Sequence, residues 1–122
     1  MHKLVIMIQT LEEITTFDQS WPEILHLLES MPGLRRETTS RVDSMLYGSQ
    51  DFNLVHELYF DSLQDLQQAM ASLPGREAGR LLQSLTGGRL TLFLADHRED
   101  DLENIARYRA ASQEAKTDAN LA

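Results

Sequence analysis

The chain has 122 residues, 42% of them apolar and none of them cysteine, a size that suits one domain with a modest core. Its formal charge of -8, with 11 basic residues scattered along the sequence, argues against nucleic acid and anionic membrane surfaces, both of which need clustered Lys and Arg. Lack of cysteine excludes disulfides, thiolate metal sites and a cysteine nucleophile. With no apolar run long enough for a bilayer and no signal-peptide pattern after Met1, the expectation is a soluble, cytoplasmic protein.

Leu4 to Ile8 is a continuous apolar run of strand length, ending in Gln9 and Thr10. Phe17, Trp21, Ile24, Leu28 and Met31 then recur at steps of four and three, which predicts a helix from about Phe17 to Met31. Thr16 or Asp18 can cap it, Pro22 belongs in its first turn, and Pro32-Gly33 ends it. Leu34 to Tyr47 reads as a long strand that is partly exposed or bends around Arg41-Val-Asp-Ser, and Gly48-Ser-Gln-Asp turns the chain back into a hairpin strand, Leu54 to Phe60.

That strand runs without a loop into an amphipathic helix, Ser62 to Leu73, whose apolar positions are Leu63, Leu66, Met70 and Leu73. Ser62 followed by Asp65 is a near match to a capping box. Pro74-Gly75 breaks the chain, Ala78, Leu81, Leu82 and Leu85 make a second short stripe, and Gly87-Gly88 leads into a last apolar strand, Leu90 to Ala95. Residues 98–122 form a polar tail. Composition leaves everything beyond about Ala110 disordered, unless the tail is an arm laid over a partner subunit.

The order strand, helix, strand, strand, helix, strand predicts an α+β, ferredoxin-like βαββαβ domain over residues 1–97, a four-stranded antiparallel sheet with helices on one face. Its other face should then be wet. Yet the first and last strands, Leu-Val-Ile-Met-Ile and Leu-Thr-Leu-Phe-Leu-Ala, do not alternate, and exposing large apolar side chains costs about 1.5–3 kcal/mol each relative to burial. A second copy, sheet against sheet around a cavity, would cover that face. The expected assembly is therefore a homodimer around a cavity for an apolar small molecule, the alternative being a monomer that uses its own tail as the cover.

The run Glu57-Leu-Tyr-Phe-Asp-Ser-Leu followed by an Ala- and Gln-rich helix, together with Pro32-Gly-Leu-Arg-Arg36 and Leu92-Phe-Leu94, resembles the EthD family of dimeric α/β-barrel proteins over about Leu4 to Asp96. The resemblance implies a homodimer with a ligand cavity in each half, no bound metal and no cofactor. Proteins of this fold include cofactor-free oxygenases, ring-closing enzymes and isomerases, and fold does not choose among them. The family pattern often places a histidine eight residues before the Pro-Gly. Here that position is Ile24, and His26 lies roughly 200° around the helix, so chemistry assigned to that histidine does not transfer.

Strand alternation separates Leu54, His56, Leu58 and Phe60 from Val55, Glu57 and Tyr59. The first set is the more apolar and is assigned to the helices, the second to the cavity. Tyr59 could orient a carbonyl or phenol, and a partly desolvated Glu57 could act as general base with a raised pKa. The alternative is that Glu57 pairs with Arg41 or Arg35 and Tyr59 is cavity wall. His56 is a candidate acid or base, although a lone histidine on an apolar face is commonly a hydrogen-bonded core residue. Met7 and Phe93 are expected to line the cavity, with Gln9 a hydrogen-bonding candidate at the strand end. His2, His26 and His97 have no spacing that would hold a metal. The acidic run Asp96, Glu99, Asp100, Asp101 and Glu103 reads as a solvated face or a weak cation attractor.

Three functions are compatible with these residues. One is a cofactor-free enzyme acting on an apolar or aromatic compound by oxygenation, cyclisation or isomerisation, with Glu57, Tyr59 and His56 catalytic. The second is a small-molecule binding or carrier protein using the same cavity, and the third an accessory dimer in a degradation pathway.

Overall fold

In the computed structural model, which describes residues 1–121, the apolar runs near the start and middle of the chain become the two central strands of one sheet. Strands β1 (His2–Gln9), β2 (Arg36–Arg41), β3 (Phe52–Phe60) and β4 (Leu90–Asp96) lie in the order β2-β3-β1-β4, with every neighbouring pair antiparallel. Helices α1 (Ile14–Glu29), α2 (Leu63–Ala71) and α3 (Leu73–Thr86) cover one face, and α4 (Leu102–Leu121) follows β4. This is a ferredoxin-like α+β fold whose second helix is divided in two.

Leu4, Ile6 and Ile8 of β1 and Leu54, Leu58 and Phe60 of β3 share the helix side, where they meet Phe17, Trp21, Ile24 and Leu28 of α1 and Leu66, Ala69, Ala78 and Leu82 of the divided pair. Burying each large apolar side chain contributes about 1.5–3 kcal/mol, so this layer is what holds the helices down. Cover is incomplete at one edge. Helix α2 lies over β1 and β3, and β4 keeps Leu92 and Leu94 46% and 39% exposed on the helix side and Phe93 43% exposed on the other.

Several local expectations change. Helix α1 begins a turn earlier than the apolar stripe, so Pro22 sits inside it rather than in its first turn, and the residue before it, Glu13, makes no side-chain cap. Phe17 and Trp21, stacked with ring centroids 5.5 Å apart, anchor the helix before the missing proline N–H, and buried Ile24 and Leu28 anchor it after. Strand β2 stops at Arg41, and Met45, Leu46 and Tyr47 lie in an exposed loop. Pro74 starts α3 instead of ending a helix: Ser72 closes α2 and caps α3, its hydroxyl accepting from the Gly75 N–H at 3.2 Å. Ser62 caps α2 as expected, accepting from Asp65 N–H at 3.1 Å. The tail beyond Ala110 is helical through Leu121 rather than disordered, in keeping with its run of Ala, Gln, Glu and Lys. No helix among the described residues is long and apolar enough to cross a membrane.

Gly75 and Gly79 of α3 give opposite expectations. A Cβ on Gly75 would lie 2.3 Å from the Ala69 carbonyl oxygen and 2.9 Å from that of Met70, whereas one on Gly79 would meet nothing within 4 Å. Gly75→Ala should therefore destabilise by about 1–3 kcal/mol through overpacking of the α2–α3 junction. Gly79→Ala should stabilise by about 0.5–1 kcal/mol by removing helix-interior glycine entropy. Thermal unfolding of the two variants beside the parent checks both signs.

Candidate functional site

Antiparallel register decides which side chains meet on the face that the helices leave open. Tyr59 stands between Arg36 of β2 and Lys3 of β1, Glu57 between Thr38 and Val5, and Val55 between Ser40 and Met7. On the other side of β1, Lys3 faces Ala95, Val5 faces Phe93 and Met7 faces Thr91. The result is an apolar floor of Val5, Met7, Val55 and Phe93 running into one polar end.

At that end the Glu57 carboxylate collects three donors. Lys3 Nζ donates to Oε1 at 2.8 Å, while the hydroxyls of Thr38 and Tyr59 donate to Oε2 at 3.2 and 3.3 Å. The Lys3 ammonium, more than its Coulomb field alone, holds the Glu57 carboxyl below the usual carboxylate range, and this outweighs the opposing effect of burial. The Tyr59 ring is buried and surrounded by cationic and aromatic partners: Arg36 Cζ lies 4.2 Å from its centroid, Lys3 Nζ 5.6 Å, and the His97 ring meets it edge-on at 4.8 Å. Glu99 ties Arg36 and His97 together, its carboxylate accepting from the guanidinium and from His97 Nε2–H, the latter across 2.7 Å. An open cavity of about 470 Å³, lined by Met1, Arg35, Arg36, His97 and Glu99, adjoins this end.

The predicted site residues divide between the two faces. Glu57, Tyr59, Met7 and Phe93 share the open face, and Gln9 stands at its far end, after a register shift between Ile8 and Gln9, beside a second open cavity with Thr10, Asp51 and Arg89. His56 does not join them. It is fully buried on the helix side, with Thr39 Oγ1 2.7 Å from its Nδ1 and the Trp21 ring edge-on at 5.2 Å. Burial pushes it down to about 4. The general base with a raised pKa expected at Glu57 is corrected, because the carboxylate is paired; its partner is Lys3 of β1, not Arg41 or Arg35, and Arg35 instead bonds Asp61 at 2.7 Å.

Lys3, Arg36, Thr38, His97 and Glu99 were not singled out from sequence as parts of this constellation. Parity along β1 was the available signal: Lys3 shares a side with Val5 and Met7, and so lies diagonal to Glu57 once β1 and β3 are paired. The acidic run is likewise spent on local pairs. Glu99 serves Arg36 and His97, Asp101 caps α4 by accepting from Asn104 N–H at 2.8 Å, and Glu103 bonds Arg107 at 2.6 Å. Among the described residues no three His, Cys, Asp or Glu side chains are arranged to hold a metal ion.

Comparison with solved structures gives the same fold. An ethyl tert-butyl ether degradation (EthD) family protein from Bacillus halodurans superposes with a TM-score of 0.73 at 29% identity, covering 80% of this chain and 99% of that one. SnoaB, a cofactor-independent oxygenase from Streptomyces nogalater, superposes at 0.63 with 15% identity, covering 81% of this chain and 94% of its own. A dimeric ferredoxin-like protein of unknown function from Bacteroides fragilis matches at 0.56 with 17% identity over 79% of this chain and 95% of its own. No protein-family model matches the sequence, and no curated protein does.

The Lys3–Glu57 pair is expected to be the main electrostatic support of the polar end, since both side chains are about four-fifths buried, with relative exposures of 19% and 22%. Glu57→Gln should lower stability at pH 7 by about 1.5–3 kcal/mol, the range for hydrogen bonds to charged groups. Because Glu57 is depressed in the folded chain, its contribution is present above the ordinary carboxylate range and lost as pH falls through the folded value. The gap between parent and variant should therefore close in acid, as measured by denaturant midpoints from pH 7 to pH 3.

Proposed function

Because the chain is EthD-like in sequence and ferredoxin-like in fold, we propose that it is a homodimeric small-molecule protein whose ligand lies on the open sheet face. The observation that carries this reading is the make-up of that face: an apolar floor ending in one ion-paired, hydrogen-bonded polar group, Lys3–Glu57–Tyr59. Pockets for small molecules typically combine an apolar wall with a few placed polar groups. The compound that fits is apolar or aromatic with one polar substituent, its ring against Val5, Met7, Val55 and Phe93 and its polar group toward Tyr59 and Lys3. A second copy supplies the roof. Strands β2 and β4 each have one unpaired edge, and pairing β2 of one copy with β4 of another would close the two sheets into a barrel without free edges.

Catalysis is the second reading, favoured by one contact. The Tyr59 hydroxyl donates to an ionised Glu57 at 3.3 Å, so a proton from the tyrosine, or from a substrate hydroxyl in its place, has an acceptor waiting. SnoaB, with a similar fold, is a cofactor-independent oxygenase, and the same chemistry on an enolisable or phenolic compound would need only such an acceptor and dioxygen. In that reading Glu57 and Tyr59 are the catalytic residues; His56, on the opposite face, is structural.

Sedimentation at micromolar concentration should give a dimer, and Phe93→Glu, which places a carboxylate under the roof without disturbing the helix side, should give a folded monomer. A monomeric parent would overturn the covered-face reading. Native mass spectrometry of freshly purified protein is expected to show a dimer carrying a defined extra mass. When that compound is returned to the protein in air, recovery unchanged supports binding alone; conversion that falls by at least ~10²-fold in Tyr59→Phe and Glu57→Gln supports catalysis.

A further inference from the structure

Beyond Tyr59 the open face has one more row of side chains. The pairing of β1 with β4 continues past Asp96, where His97 N–H donates to the Met1 carbonyl at 2.8 Å, and alternation puts His97 on the same side as Phe93 and Ala95. There its ring meets Tyr59 edge-on at 4.8 Å, while the Arg36 guanidinium lies over the same ring, Cζ 4.2 Å from the centroid. Two donors from opposite edges of the sheet, β2 and the end of β4, are thus steadied on one tyrosine. Both donate to a single oxygen, Glu99 Oε1.

The acceptor is held less firmly than its donors. Glu99 lies in residues 97–101, which have no regular secondary structure, and its side chain is 58% exposed against 15% for His97. The cavity of about 470 Å³ that adjoins the polar end is lined by these same three side chains together with Met1 and Arg35. Neighbouring cations are already matched, Lys3 by Glu57 and Arg35 by Asp61. Withdrawing Glu99 would therefore leave the Arg36 guanidinium as the unmatched side-chain charge on that cavity, with the His97 N–H beside it. A carboxylate is the group such a pair of donors receives best, and a carboxylate is what it holds.

We propose that Glu99 is an internal stand-in for the carboxylate of the ligand, so that the open face takes an aryl-alkanoic acid whose ring lies on the apolar floor and whose carboxylate exchanges with Glu99 on Arg36 and His97. This rests on the open face being the ligand site and adds the charge and length of the ligand. Phe93 and His97 are four residues apart on one extended segment, about 13 Å between their Cα atoms, so ring and carboxylate need a spacer of a few carbons. The hydrogen bonds from His97 and then Arg36 hold the Glu99 carboxyl below the usual carboxylate range, as they would any carboxylate seated in its place.

Tethering decides what can displace Glu99. A group on the same chain competes at an effective concentration of roughly millimolar, which a small anion meets with its charge alone. An acid that also buries an aromatic ring against Val5, Met7 and Phe93 has a second source of affinity. The exchange thus selects for charge and apolar body together.

NMR titration of the parent with 4-phenylbutyrate, 4-phenylbutanol and acetate reads the two halves of the site separately. Phenylbutyrate should move the amide resonances of Val5 and Phe93 and also those of Arg36 and His97, binding ~10-fold or more tightly than the alcohol; acetate at the same concentration should move none of the four. In Glu99→Ala, acetate should now move Arg36 and His97, and the affinity for phenylbutyrate should rise by ~10-fold while that for phenylbutanol stays as it was. Acid and alcohol binding the parent equally, with Val5 and Phe93 moving in both, overturns the exchange and leaves the open-face reading standing. No movement of Val5 and Phe93 with either probe overturns that reading and the exchange with it. A Glu99→Ala protein that melts lower and gains no affinity for phenylbutyrate makes Glu99 a structural latch, again overturning the exchange; should the variant not fold, the comparison of acid with alcohol in the parent decides alone.

Discussion

The pairing register of β1 against β3 is the constraint on which both faces of the molecule depend. Ile6 stands opposite His56 and Val5 opposite Glu57. Since side chains alternate with a period of two, a slip by one residue would send Leu4, Ile6 and Ile8 outward and carry Lys3 into the helix layer. The helix side prevents this. Those three side chains are at most 6% exposed against Phe17, Ile24 and Leu28, and turning them out would forfeit several times 1.5–3 kcal/mol. The polar arrangement of the open face is thus a by-product of packing on the opposite side. No interaction among Lys3, Glu57 and Tyr59 need be strong enough to choose the register that brings them together.

Competition between desolvation and pairing gives Glu57 on the open face and Glu37 on the helix side opposite properties. Glu57 and Glu37 are similarly withdrawn from water, yet one is held ionised and the other pushed toward neutrality. The difference lies in what each faces. Glu57 has an ammonium and two hydroxyls; Glu37 has a neutral imidazole and another carboxyl. Partial burial alone therefore does not identify a base in this fold, and the residue with a pKa near neutrality lies on the face away from the apolar floor.

Much of the architecture can be read from residue spacing, because the patterns are long. The apolar stripe of α1, the runs of β1 and β4, the Ser62 cap and the side assignment of Leu54 to Phe60 all follow from periodicity and are found as expected. Local misreadings arise where a punctuating residue has two uses. Pro74 opens a helix as readily as it ends one, and Pro22 is tolerated mid-helix because Phe17 and Trp21 are fixed by burial rather than by the hydrogen bond that proline removes. The polar network was only half legible. Glu57 and Tyr59 follow from alternation, but Lys3, Arg36, Thr38 and Glu99 come from three other segments, and only pairing across the sheet brings them together.

Strand β4 shows why the chain's shape and its chemistry are linked. An edge strand that meets only water usually carries charge or a bulge on its exposed side. Here Leu92, Phe93 and Leu94 are successive exposed apolar residues on an edge, with Phe93 on the same face as Val5. Such a segment is an aggregation hazard unless its intended neighbour is always present. A second sheet laid over Phe93 would remove the hazard and lower the dielectric around Lys3–Glu57–Tyr59, strengthening each of those contacts. Covering the apolar edge and tightening the polar end would then be one event, so the affinity of the site for a small molecule would be tied to the concentration at which two chains meet.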